Sequence, residues 1–465
     1  MQLNPILKRL LGALAAVLLI LFAWVWFSGA QTSLKLPRPV TAIGPSTSVL
    51  VEVDAPHGVK SFSAAIEQNG QTETVYQDKT HTKQRVGAYT FQVGQKQAPF
   101  LKEGPARLIM RAGSNDVRGS TSELAQDVQV VLRPPTVVAD GFQHYINQGG
   151  SELVTLDLGG NWTQAGVRVA NYAAASYPMP GQPESGNRRF SLFPFPWDVS
   201  PQTDPMAFAR NAAGTEVTTS FWVKVFPKKF RESTINVTDR NLQKVVGELD
   251  PNGTGTLLDR FIKLNRDMRR ANGETIYQMR NTTEHKILWS GPFIPVKGAR
   301  ESFFADRRTY VYNGRRFDQQ VHLGYDLAQT ANSPVKAANS GKVIYADRLG
   351  LYGNCVIIDH GYSLQSLYGH MSRILVKVGD MVGKEQQIGV SGATGMAFGD
   401  HVHFSMMIAG LQVDPKEWWD EHWIHDRILS KIGPGASKET ALASASNNTP
   451  ESVPAAHKHN KKHRR

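Results

Sequence analysis

The sequence predicts a mainly β protein whose parts run in series. A transmembrane helix is expected over 10–27, two β-sandwich-like domains over 36–134 and 136–228, a helical connector over 239–300, an antiparallel-β domain over 301–430 and a disordered basic tail over 434–465. Three observations carry this reading. The run 10–27 holds no charged residue, the stretch from there to Phe226 alternates short apolar and polar runs between Gly, Asn and Pro turns, and helical spacing of apolar residues first takes over near Asp239. A chain of 465 residues has room for two to four such domains.

The first element follows Lys8 and Arg9, and its 18 residues would make a helix of roughly 27 Å, near the thickness of a bilayer core. Positive residues before the run place 1–9 in the cytoplasm, and Trp24, Trp26 and Phe27 suit the far interface, so the rest of the chain is exported. A cleavable signal ending at Ser28-Gly29-Ala30 is the alternative; the length of the run and its bulky aromatic end favour a retained anchor. One cysteine, Cys355, excludes an intramolecular disulfide, so stability must come from ordinary cores. Cys355 itself sits in the apolar stretch Val356-Ile357-Ile358 and reads as a small buried hydrophobe.

Strand-like runs Ser48–Val53 and Asp127–Leu132 bracket the first β domain, and Arg133-Pro134-Pro135 marks its boundary. The second opens at Glu152–Leu158, continues through Val167–Val169 and closes at Phe221–Phe226. Leu242, Val245, Val246 and Leu249, then Leu257, Leu258, Phe261, Ile262 and Leu264, have helical spacing. The hexad Asp250–Gly255 between them starts like a calcium loop, but Phe261 stands at the twelfth position where a bidentate Glu is required, so it reads as a helix–helix turn. Asp414-Pro415-Lys416-Glu417 offers an N-cap acid, a first-position proline and a third-position glutamate, predicting one helix onward through Trp418, Trp419 and Trp423. The Ala/Ser/Asn/Pro composition after Gly433 cannot form a core.

Lys and Arg exceed Asp and Glu by 52 to 40, a formal charge of +12 that favours anionic partners. Nucleic acid is the least supported of these, because no basic–aromatic RNA motif, zinc-finger spacing or phosphate-binding glycine loop is present.

The chemistry concentrates near the C-terminal end. His401 and His403 alternate to the same side of a strand, and His322 and Asp326, four apart, share a face in either a strand or a helix. Two imidazoles and one carboxylate suit Zn2+, and three protein ligands with a fourth position open is the catalytic zinc pattern. A His-x-His pair alone is more often two exposed strand histidines, so the surrounding residues decide. Between the motifs stand Pro334–Ala338, Gly341–Val343, Asn354–Gly361, Leu367-Tyr368-Gly369-His370, Val378-Gly379-Asp380, Ile388-Gly389 and Ser391–Gly395. In that order and spacing, the region from Asp318 to Pro415 resembles the core of the lysostaphin-like (LytM-type) zinc endopeptidases, which cut peptide cross-bridges in bacterial peptidoglycan.

The resemblance implies that His322, Asp326 and His403 hold zinc and that His370 and His401 are active-site histidines outside the metal shell. Asp400 stands where proline is common and Ser405 where glutamate is common; neither departure removes a ligand. The implied activity is hydrolysis by attack of a zinc-bound water, whose pKa the metal lowers, with preorganised donors holding the oxyanion. An unligated histidine takes the water's proton and returns it to the leaving amine. We assign that work mainly to His370, with His401 orienting the water or holding the oxyanion. The alternative is a non-catalytic relative that binds the wall and activates another hydrolase, although degenerate members of that kind usually lack ligands.

Peptidoglycan peptides are then the expected partner, with the N-terminal helix in the inner (cytoplasmic) membrane and the C-terminal bulk in the periplasm. A regulatory protein partner is left open. The region 239–316 is expected to pack near the groove and restrict access to it. His360 fits a turn between strands, His422 and His425 a Trp-rich helix, and His57, His81, His144 and His285 show no partner pattern; none is given a functional role.

Overall fold

The computed structural model describes residues 13–20, 22–23, 32–116 and 119–433. Of the apolar run 10–27, residues 13–20 and 22–23 are helical and exposed, and among the described residues no helix is long and apolar enough to cross a membrane. The remainder of that run, the predicted cytoplasmic residues 1–9 and the predicted tail 434–465 lie outside the described residues.

Two compact units are present, one holding residues up to 138 with 158–165 and 208–219, the other holding 139–157, 166–207 and everything from 220 on. In the first, Thr47–Asp54 pairs with Ser33–Lys35 and Val86–Val93, while Gly104–Ser114 pairs with Val59–Gln68 and Thr121–Val130 in a second sheet. Residues two apart on a strand share a face. Val49, Val51 and Val53 of one sheet therefore meet Phe62, Ile66, Leu108 and Met110 of the other in a single core, and Phe62 stacks on Tyr89 with centroids 4.3 Å apart.

Among the described residues, the strands from Thr136 to Phe226 pair only with one another, in two four-stranded sheets and the parallel pair His144–Asn147 with Val223–Phe226. Parts of this region, 139–157 and 166–207, belong to the second unit, where buried polar contacts tie them to the C-terminal residues. Asn147 and Ser151 bond Glu417, the Tyr177 hydroxyl meets Ser363, and Lys431 Nζ lies 2.9 Å from Glu152 Oε1. His144, which the sequence leaves without a partner, is fully buried in this network with Nε2 2.9 Å from Asp140 Oδ1.

Helices occupy Asp239–Leu249 and Leu257–Lys263, the latter running on through a π-turn at Leu264–Met268 into Arg269–Gln278. Thr238 caps the first by a reciprocal bond pair with Asn241. Val237, Leu242, Val245, Phe261 and Tyr310 pack as one cluster, joining these helices to the strands rather than leaving them as a linker. Strand Glu232–Val237 runs parallel to Asp306–Tyr312, which pairs with Arg315–His322. The main antiparallel sheet runs Ala299–Ser302, Tyr325–Ala328, His401–Ile408, Leu364–Met371, Asn354–Asp359, Gly341–Arg348 and Met381–Val382. Its central strands are buried along nearly their whole length, including Cys355.

The predicted single helix from Asp414 is two pieces. Asp414 caps only a 3-10 turn over Pro415–Trp419, and a second cap at Asp420 opens Glu421–Ile424. Glu417 turns inward to the 147–151 backbone instead of closing a capping box.

Candidate metal centre and active site

His322 ends strand Arg315–His322, and Asp326 lies on the next strand, Tyr325–Ala328. They converge because the chain breaks at Leu323-Gly324, not because a single strand or helix carries both. A side chain at Gly324 would collide with His403 Nε2 and the Phe404 carbonyl, so only glycine lets the two strands close this tightly. Register then completes the set, placing Asp326 opposite His403 on the neighbouring strand.

His322 Nε2 is 2.9 Å from Asp326 Oδ1 and 2.9 Å from His403 Nδ1, and His403 Nδ1 is 3.1 Å from the same Oδ1. One ligand atom from each of the three lies within 4.8 Å of the others. The outer hydrogen bonds settle which nitrogen of each ring faces inward. His322 Nδ1–H donates to the Phe303 carbonyl at 3.2 Å. The Ser405 hydroxyl donates to the Leu323 carbonyl at 2.7 Å, so it accepts from His403 Nε2–H at 2.9 Å. Both rings therefore present lone pairs to one point beside a carboxylate oxygen, an arrangement that repels itself without a cation and fits zinc.

Asp326 Oδ2 accepts from Arg308 Nη2 at 2.5 Å. Burial raises the Asp326 pKa, but the histidines around it hold the carboxyl well below its usual range. Burial, opposed by Asp326, pushes His322 down to about 3, and burial likewise lowers His403. These directions keep the ligands in the forms a metal needs.

His370 and His401 stand beside the triad with ring centroids 4.7 Å apart. His370 has φ +64° near the end of its strand, an uncommon backbone for a non-glycine residue. Its Nδ1–H donates to the Thr394 carbonyl at 2.8 Å, leaving Nε2 for the groove. Burial and the neighbouring His401 and His403 keep its pKa well below the usual value, so it stands as a neutral base. His401 Nδ1–H donates to the Gly399 carbonyl at 2.9 Å and its Nε2 is 3.5 Å from Asp326 Oδ1. Burial opposes charge on His401, but Asp326 outweighs it and raises the pKa.

The five residues named from the sequence therefore lie together, lining one cavity of about 340 Å³. Sequence reasoning missed what surrounds them. Arg308 carried no motif, and neither did Tyr352, which ends the 3-10 turn Gly350–Tyr352 and whose ring meets His403 edge-on at 5.2 Å. The helices also reach the site, with Arg269 and Gly273 lining the same cavity. Lys244 donates to the carbonyls of Ala393, Gly395 and Ala397, and Glu248 accepts from Gly395 N, so helix Asp239–Leu249 clamps the loop that supports both His370 and His401. Among the excluded histidines, His360 is buried between the Ser340 carbonyl and the Ser366 hydroxyl.

Residues 320–415 match the model of Peptidase family M23. Over 93 residues the chain is 38% identical to peptidoglycan DD-endopeptidase ShyA of Vibrio cholerae serotype O1, covering 20% of this chain and 22% of the relative. It is 36% identical over 96 residues to the DD-carboxypeptidase/endopeptidase Mpg of Neisseria meningitidis, covering 21% and 22%. The chain thus spans less than a quarter of the length of these two relatives. A putative peptidase M23 of Pseudomonas aeruginosa superposes with a TM-score of 0.36 at 22% identity, covering 59% of this chain and 94% of that one. With the five site residues inside the matched segment, this chain carries a domain of Peptidase family M23, the LytM/lysostaphin-like peptidases.

Proposed function

We propose that this chain is a zinc endopeptidase that hydrolyses peptide cross-links of bacterial peptidoglycan, tethered to the cytoplasmic membrane by the run 10–27 with its bulk in the periplasm. The observation that carries the reading is the convergence of His322 Nε2, His403 Nδ1 and Asp326 Oδ1 beside His370, whose Nε2 is left to the groove, and His401, whose Nε2 lies 3.5 Å from Asp326 Oδ1. Relatives named as peptidoglycan DD-endopeptidases support the substrate class. The non-catalytic alternative is not favoured, because every position a degenerate relative would lose is filled.

His322, Asp326 and His403 would hold zinc, which when bound would supply Lewis acidity. His370 Nε2, its ring fixed through Thr394, accepts the proton of the attacking water and delivers it to the leaving amine. His401, fixed through Gly399, donates from Nε2 to the oxygen that gains charge. Arg308 and Ser405 hold the Asp326 carboxylate and the His403 ring in the orientation the ligands require. Replacing His322 or Asp326 with alanine should remove bound zinc and hydrolysis of wall fragments together. Unchanged zinc stoichiometry in both variants would dismiss them as ligands.

A further inference from the structure

Among the described residues, the groove-wall cation Arg269 has no acid within salt-bridge distance. Arg269 opens helix Arg269–Gln278, outside the segment that matches the peptidase family, and lines the same cavity as the triad. Its neighbours in sequence and space are matched with acids: Arg260 with Asp250, Arg266 with Asp318 and Arg308 with Asp326. The groups that hold Arg269 are neutral. Nε donates to the Asn265 carbonyl at 3.2 Å, and Nη2 donates to Asn265 Oδ1 at 2.8 Å and approaches Met396 Sδ at 3.8 Å. Asn265 is fully buried, and its own amide is anchored on Asp318 Oδ2 at 2.8 Å. A guanidinium held this way loses little freedom on binding an anion.

A second observation lies one turn on. Gly273 occupies a helix interior, where glycine is disfavoured relative to alanine. A Cβ there would meet nothing within 4 Å, so no packing inside the protein explains the glycine. Residues four apart share a helix face, and Gly273 lines the cavity beside Arg269. Together they make a bare stretch of wall with a fixed positive charge at one end. The position is close to the chemistry, because Tyr352, whose ring meets His403, lines the same cavity.

We propose that Arg269 is a carboxylate-binding residue of the groove, which takes a free carboxylate of the wall stem peptide over the bare surface at Gly273. The inference rests on the peptidoglycan reading above. Two carboxylates have the required chemistry, that of the diamino acid next to the cross-link and that of a terminal D-amino acid.

The test uses cross-linked stem-peptide dimers in three forms: unmodified, amidated at the diamino-acid carboxylate, and amidated at the terminal carboxylate. Each is given to the zinc-loaded full-length protein and to its Arg269→Gln and Arg269→Lys variants, with zinc content measured in all. A charge-assisted bond of this type is worth roughly 10- to 100-fold in affinity. One amidation should therefore raise wild-type KM by about that factor with kcat nearly unchanged, because the contact is the same in ground and transition states. Which amidation does so identifies the source. Arg269→Gln should show the raised KM on the unmodified dimer and no further response to amidation, and Arg269→Lys should recover part of the loss. Indifference of the wild type to both amidations, or full discrimination retained by Arg269→Gln, would overturn the proposal. Calorimetric titration with the same peptides reads the contact without turnover. A protein that hydrolyses none of the dimers but binds them with Arg269-dependent discrimination would sink the endopeptidase reading alone.

Discussion

Replacing Glu417 with glutamine should change how stability depends on pH. Glu417 is 7% exposed, with Oε1 accepting from Asn147 Nδ2 at 2.9 Å and Oε2 accepting from Ser151 N at 2.8 Å and Ser151 Oγ at 3.1 Å. A Cβ at Gly150 would collide with this carboxyl, so the backbone rests directly on it. Burial pushes the Glu417 pKa up from 4.5 to about 7; the bonds from Asn147 and Ser151 and the charge of Lys228 pull it down, while Asp414 adds to the rise. The folded-state pKa therefore stands above the unfolded one. The stability contributed by the neutral carboxyl is fully present below pH 4.5 and is lost as pH rises through about 7. The interval corresponds to a loss on the order of 3 kcal/mol.

Glutamine stays neutral throughout. Its single oxygen can keep Ser151 N while its amide faces Asn147, whose own amide then turns over. Urea unfolding of the metal-free protein, followed by tryptophan fluorescence between pH 5 and 8, isolates the effect from proton release by zinc ligands. The stability of Glu417→Gln relative to wild type should rise across that range by on the order of 3 kcal/mol. A difference that stays constant with pH would refute the assignment of a raised pKa to this residue.

Further consequences can be checked separately. His370→Ala should leave zinc bound while lowering turnover roughly 100- to 10,000-fold; zinc loss equal to that in His403→Ala would move His370 into the ligand set. Ser405→Ala removes the acceptor that fixes the His403 ring, and competition with a chromogenic chelator should show zinc affinity weakened about 10- to 100-fold, whereas unchanged affinity would deny Ser405 that role. Lys244→Met leaves the carbonyls of Ala393, Gly395 and Ala397 without their shared donor. Thermal unfolding should register a loss of about 1–3 kcal/mol, with kcat falling at constant zinc content; unchanged kcat would mean the clamp does not steady His370 and His401.

What the sequence made legible was the chemistry carried by spacing. His-x-His needs only the two-residue period of a strand, and strand His401–Ile408 supplies it. The His322–Asp326 spacing pointed to residues that do converge, but through the wrong geometry, since the convergence depends on a break at Gly324 and on pairing with a strand far along the chain. Arg308, Ser405 and Thr394 act through contacts set by tertiary register, which no local pattern records. Helical spacing placed the helices at Asp239–Leu249 and beyond, yet their role as groove wall rests on Lys244, Glu248 and Arg269 reaching a distant loop. Glu417 shows the same limit from the other side. Its position reads as a helix cap, but burial against Asn147 and Ser151 overrides that local preference.

Mass spectrometry of the peptides released from purified peptidoglycan tests the central claim most directly. The zinc-loaded protein should release fragments carrying a newly freed amine and carboxylate at a single type of cross-link, with chelation or His322→Ala abolishing their appearance. Intact cross-links after incubation with folded, zinc-loaded protein would contradict the account.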